Sequence, residues 1–239
     1  MEEVLYTLKN HTSIRKFNDE QITKKEEEEI IACALRGATA GGMMLYSIIK
    51  IRDKNNLKYL SEKCDNQSFI EKSDLGLIFL ADAHKYYQYF EIKNVKNYDG
   101  NGPKSSDLFL SIADTMIAAQ NSVIAAESLN IGTCYIGDIL ENIEEIQKYF
   151  NLPSHVIPFT MVVFGKYSTK PKLRNRFDEK FVVFDEKYPY IDADFINKMF
   201  YSEETNNDNN ANEFYNRKIN SDFTKEMRRS CNKYIKEWL

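Results

Sequence analysis

Apolar and polar positions along the chain switch between a helical period and short continuous apolar runs. Val4, Leu5 and Leu8 share one helical face and predict a short helix over residues 2–9. Thr23-Lys24-Lys25-Glu26 has the form of a capping box. Ile30, Ile31, Ala34 and Leu35 then carry a helix to about residue 35, and GATAGG at 37–42 ends it in a flexible loop. LYSIIKI at 45–51 reads as a strand and 55–63 as a short helix. LGLIFLA at 75–81 reads as a strand covered on both faces. Residues 84–104 are polar and tyrosine-rich, an excursion of helix or loop. The longest helix is expected over 106–129. It is apolar on almost every side and carries Ala113, Ala118, Ala119, Ala125 and Ala126, which predicts close packing in a core and at a subunit interface. Asn130 and Gly132 stop it. A short amphipathic helix follows at 141–150, a third buried strand at 157–164, and an extended arm at 166–190. Residues 202–216 read as a mobile loop, polar and acidic at their start, and 221–238 as a last helix. Strands set among helices, with no internal repeat, give an α/β or α+β class. The whole of 1–239 reads as one domain.

Composition narrows the function classes. The 239 residues carry a net charge of −4, which argues against a general nucleic-acid binder, so basic residues matter where they cluster. The aromatic share of 13% supports a sizeable core or an aromatic-lined pocket. Cys33, Cys64, Cys134 and Cys231 form no CxxC pair, so neither a zinc site nor a dithiol motif is indicated. The opening residues lack the apolar centre of a secretory signal, and no apolar run is expected to reach bilayer-spanning length. The expectation is a cytoplasmic protein without membrane or nucleic-acid partners.

The chemistry concentrates at His11-Thr12-Ser13-Ile14-Arg15-Lys16-Phe17. One imidazole, two hydroxyls and two cations within seven residues suit a phosphate or other polyanion, although a solvated basic turn has the same composition. Elsewhere the chain is poor in catalytic groups. It contains no G-x-G-x-x-G after a strand, no P-loop, no G-x-S-x-G and no H-E-x-x-H. His11, His84 and His155 lie far apart in sequence, so no metal site is expected. An enzyme of this composition takes its reactivity from a bound cofactor.

The order HTSIRKF, GATAGG, Gln67, DTMIAAQNSVIAAESLNIGTCYIGD, NLPSHVIP and PKLRNR resembles the nitroreductase family of FMN flavoproteins, in its oxygen-insensitive nitroreductase and flavin reductase P branch. The resemblance spans about residues 5–190. It implies an α+β fold, with a central mixed but mainly antiparallel sheet flanked by helices, in an intertwined homodimer with flavin at the subunit interface. It implies FMN as cofactor and NADPH or NADH as donor, with small-molecule oxidants such as nitroaromatics or quinones reduced by a ping-pong mechanism. The alternatives are a flavin reductase that supplies reduced flavin and a low-turnover flavin-binding or redox-sensing protein. No side chain is implied as an acid–base catalyst.

Carried over position by position, the resemblance assigns His11, Thr12, Ser13 and Arg15 to the phosphate and ribityl chain. It adds Thr39, Ala40 and Gly41 in the loop, and Gln67 at the isoalloxazine edge. Tyr135, Ile136 and Gly137 form a backbone strip under the ring, and Arg174 and Arg176 are late phosphate cations. Arg217 and Lys218 are the nearby cations for the 2′-phosphate of NADPH. Because Ser202-Glu203-Glu204 would repel that phosphate, NADH is expected to serve as well or better. The chain departs from the pattern at Thr12 (arginine in the family), Met44 (glutamine) and Asp138 (glycine). These departures imply weaker FMN binding or an altered potential. Asp138 adds negative charge near the cofactor or, in the simpler reading, caps the next helix.

Overall fold

The computed structural model describes residues 2–200 and 208–239. The chain divides into two compact units, residues 1–171 with 226–239, and residues 172–225.

The first unit is built on a sheet of four strands: β1 (Tyr46–Ile51), β2 (Leu75–Asp82), β3 (Gly132–Ile136) and β4 (Val156–Gly165). Their order is β1-β2-β4-β3, and each neighbouring pair is antiparallel. β2 is buried at every position, as its unbroken apolar run requires. The strand β3 was not expected. Its five residues, GTCYI, are short, and they sit where a helix stop had been read.

Helices cover both faces. α1 (Glu2–Lys9) opens the chain, and α2 (Lys24–Ala34) follows the expected capping box, with Thr23 accepting from the Glu26 backbone. α3 (Lys54–Lys63) and the one-turn α4 (Ser68–Glu71) lie between β1 and β2. Asp65 and Asn66 both take left-handed backbone angles, at φ 56° and 51°, and turn the chain sharply between these two helices. The excursion after β2 begins as α5 (His84–Ile92).

The 24-residue α6 (Ser105–Ser128) is the central helix. Ala118, Ala119, Val123 and Ala126 pack with Leu75, Leu77 and Phe79 of β2 in the main core cluster. Contrary to expectation, α6 is long and apolar enough to cross a membrane by length and composition alone. Its buried polar residues, Ser111, Asp114, Thr115 and Ser122, belong instead to a core helix whose polar groups find partners inside the protein. The opposite stripe leaves Phe109, Leu110 and Ile117 exposed.

α7 (Ile143–Tyr149) is shorter than expected and starts after a left-handed Asn142. The second unit contains the irregular arm, with a short 3-10 turn at Glu179–Phe181, followed by α8 (Ala193–Phe200) and α9 (Asp208–Lys218). Neither helix was expected. The later part of the loop read over 202–216 is in fact α9, and residues 202–207 lie outside the described residues. The last helix, α10 (Asp222–Lys236), is followed by Trp238. Tyr234 and Trp238 are buried with Leu45, Ala81 and Leu108.

Candidate functional site

The segment 11–18 runs along the free edge of β3. The Ile14 amide donates to Thr133 O at 2.8 Å, and the Asn18 amide donates to Lys166 O at 2.8 Å. Two glycines admit it. A Cβ on Gly132 would stand 2.8 Å from three Ile14 carbons, and one on Gly165 would stand 2.6 Å from the Phe17 ring. Ile14 is buried against the strand, while Ser13 and Arg15 lie at the Cys134 thiol and His11 at Glu127.

Each of these groups is prepared for a ligand in a different way. His11 Nδ1 lies 2.6 Å from Glu127 Oε1, and the Thr133 hydroxyl donates to the same oxygen at 3.2 Å. A carboxylate only accepts, so Nδ1 carries the proton and Nε2 is left for another partner. The Arg15 guanidinium stands 5.9 Å from the Phe69 ring centroid and makes no ion pair among the described residues. Ser13 and Arg15 also lie against the Cys134 thiol. Burial raises the thiol pKa, and these two neighbours oppose that shift.

Gln67 is joined to the turn that follows β3. Its backbone is held by Ser61 through two bonds: the Gln67 amide donates to Ser61 O at 3.1 Å, and the Ser61 hydroxyl donates to Gln67 O at 2.9 Å. Its side-chain NH2 donates to Cys64 O at 3.0 Å and to Asp138 Oδ2 at 2.8 Å. Asp138 therefore does not cap a helix: the N-cap of the 3-10 turn Asp138–Leu140 is Gly137, and that of α7 is Asn142. Ile136 is buried in the core, and Tyr135 is half-buried against it with its hydroxyl donating to the exposed Gln120 at 3.1 Å. At Gly137 an added Cβ would meet nothing within 4 Å, so the strip ends in open space.

The loop Thr39–Ala40–Gly41 belongs to a different place. Asp114, in the first half of α6, accepts from Ala40 N at 2.8 Å and from Leu45 N at 3.0 Å. Glu127, which holds His11, is thirteen residues further along the same helix, about 20 Å at 1.5 Å per residue. Within one chain, this loop and the His11–Arg15 face do not meet. Thr12 is half-buried beside the cluster. Met44 sits at the mouth of an apolar groove with Met43, Tyr86 and Tyr89, in a left-handed conformation at φ 54°. Arg174, Arg176, Arg217 and Lys218 are exposed residues of the second unit, the last two in the final turn of α9. No group of three or more metal-ligating side chains occurs among the described residues.

Glu127 and Asp114 were not singled out from the sequence, but a signal was there. α6 has only three charged residues, Asp107, Asp114 and Glu127. Each is engaged; Asp107 accepts from the Lys104 amide and the Tyr87 hydroxyl. A lone acid in an apolar helix needs a partner.

Comparison with known proteins gives a consistent outcome. The pattern described as "Nitroreductase family" matches residues 8–166. The chain is 28% identical to an FMN reductase (NADPH) of Bacillus subtilis, over 99% of this chain and 98% of the relative. It is 31% identical to an oxygen-insensitive NADPH nitroreductase of Salmonella typhimurium, over 80% of this chain and 77% of the relative. Among solved structures, a nitroreductase from B. subtilis superposes with a TM-score of 0.82 at 27% identity, covering 98% of this chain and 97% of that one.

Proposed function

This chain belongs to the nitroreductase family, and from that premise we propose that it is an FMN-dependent NAD(P)H oxidoreductase acting as a homodimer on small-molecule oxidants. The observation that carries the reading is the His11–Ser13–Arg15 face. The His11 imidazole, the Ser13 hydroxyl and an Arg15 guanidinium with no ion pair among the described residues all come from one segment pinned on β3. That donor set fits the phosphate end of FMN, and the open backbone at Gly137 fits the close approach of a flat ring.

When bound, FMN supplies a two-electron acceptor that takes hydride from a nicotinamide and releases electrons to an oxidant in a second half-reaction. The chain's own residues bind and orient. Arg15 neutralises phosphate charge, Ser13 adds a directional hydroxyl, His11 lines the same segment, and Gln67 meets the ring edge. Arg174 and Arg176 contribute further phosphate cations, and Arg217 and Lys218 receive the 2′-phosphate of NADPH. No side chain acts as an acid–base catalyst. Dependence on a nicotinamide donor suits a cytoplasmic setting.

Two observations support the homodimer. The loop at 39–41 and the His11 face are both site elements by family position, yet they are anchored about 20 Å apart on α6, so one cofactor can touch both only across two chains. The exposed stripe of Phe109, Leu110 and Ile117 on the same helix supplies an apolar surface for a second copy.

The test is the visible absorption spectrum of the purified protein, before and after anaerobic NADH and then NADPH. Flavin bands that bleach with either donor are expected, and a colourless protein that does not reconstitute with FMN overturns the reading. A flavin reductase that releases its product to a second enzyme is the alternative, favoured by the name of the B. subtilis relative. Steady-state turnover of free FMN against nitrofurazone separates the two.

A further inference from the structure

Both partners of the Gln67 side-chain NH2, the Cys64 carbonyl and the Asp138 carboxylate, are acceptors only. A flipped amide would face oxygen against oxygen twice, so chemistry fixes its direction: NH2 inward, Oε1 outward. We propose that Asp138 is a positioning residue that locks Gln67 with its carbonyl oxygen toward the bound flavin and, by this dipole and its own charge, lowers the reduction potential of the cofactor. The inference rests on the FMN reading given above and deepens it.

Three facts carry it. The 2.8 Å contact joins the turn after β3 to the start of α4, so the residue named at the ring edge is directly coupled to the one that follows the backbone strip. Glycine, which the family pattern has at position 138, offers no such acceptor. The field of Asp138 reaches well beyond Gln67: together with burial, its charge raises the pKa values of Cys64, Cys134 and Glu141. Adding electrons to a ring beside a carboxylate and an outward carbonyl oxygen is disfavoured by both. Arg15, which also acts on Cys134, opposes this field without an ion pair to Asp138.

The experiment is a spectroelectrochemical or dye-coupled reductive titration of the FMN holoproteins of the wild type, Asp138→Asn and Asp138→Gly, with Kd for oxidised FMN measured in parallel. D138N removes the charge but keeps an oxygen for the Gln67 NH2, whereas D138G removes both. Expected is a higher midpoint for D138N and a rise at least as large for D138G. The size is on the order of tenfold in the affinity ratio of reduced to oxidised cofactor, which is about 30 mV for a two-electron couple. Normal holoprotein spectra with an unchanged midpoint in both variants overturn this inference alone. A wild-type chain that does not bind FMN overturns the flavin reading and this inference with it. The potential is the deciding readout because a purely structural loss at Asp138 changes stability or FMN affinity without raising the midpoint.

Discussion

His11 Nδ1 and Glu127 Oε1 are 2.6 Å apart, and this contact joins the segment on β3 to the last turn of α6. It fixes the tautomer of His11 and aims Nε2 away from the core. Glu127→Gln leaves an acceptor for Nδ1 but removes the charge that strengthens this hydrogen bond. FMN affinity is expected to fall by roughly tenfold, the loss of about 1.5 kcal/mol typical of a hydrogen bond to a charged group. Fluorescence titration with FMN measures it. His11→Ala should cost as much, and the double variant less than the sum, because the two residues act as a pair.

Asp114 is 2% exposed and accepts two backbone N–H groups from one loop. Asp114→Ala leaves both donors without a partner, and a loss of roughly 2–4 kcal/mol in unfolding free energy is expected from two orphaned buried groups. A urea melt reads this directly. On the proposed homodimer, this loop meets the cofactor of the second copy, and FMN affinity should fall in the same variant.

Gly132 and Gly165 test the seat of the segment itself. Gly132→Ala places a methyl 2.8 Å from Ile14, so the segment must shift. Overpacking of this kind costs about 1–3 kcal/mol, and weaker FMN binding should accompany it. Gly137→Ala is the control for stability, since its Cβ would meet open space. In that variant the fold should hold and any loss should fall on cofactor binding.

Glu141 predicts a pH dependence. It is 6% exposed, and burial, followed by the charges of Asp138, Asp65 and Glu226, lifts its pKa from 4.5 to about 8. The folded state thus holds a proton that the unfolded state gives up near pH 4.5. The stabilisation is complete below that pH and is lost as pH rises toward about 8. Urea midpoints at pH 5, 6.5 and 8 should decline for this group, and Glu141→Gln should flatten that part of the profile and raise stability at pH 8.

The donor question turns on Arg217 and Lys218 at the end of α9. NADH is expected to serve at least as well as NADPH, and Arg217→Ala should lower kcat/KM for NADPH by roughly tenfold, the worth of one charge-assisted phosphate contact, while sparing NADH. A strong NADPH preference that Arg217→Ala abolishes would sink the NADH expectation.

Elements whose signal was local were legible in the sequence. The Thr23 capping box, the apolar run of β2 and the long α6 needed only neighbours in sequence to declare themselves. β3 was lost because five residues between a helix stop and a glycine look like a turn; its strand character comes from pairing with β4. α9 was lost because Asp and Asn favour caps and turns over helix interiors, so DNNANEF reads as loop. At the site, the order of His11, Ser13, Arg15 and Gln67 was readable. Their partners Glu127 and Asp138 are 116 and 71 residues away, and no local pattern pairs them.

α6 also acts as a ruler. It carries one anchor for the 39–45 loop and another for the His11 segment, with twelve residues between them in unbroken helix. Deleting a single residue there would turn one anchor by about 100° and draw it in by about 1.5 Å relative to the other. Surface loops of this protein can change length at little cost, but this interval cannot. Any insertion tolerated between Asp114 and Glu127 would have to come in whole turns, and even then the two anchors would no longer stand at the same separation.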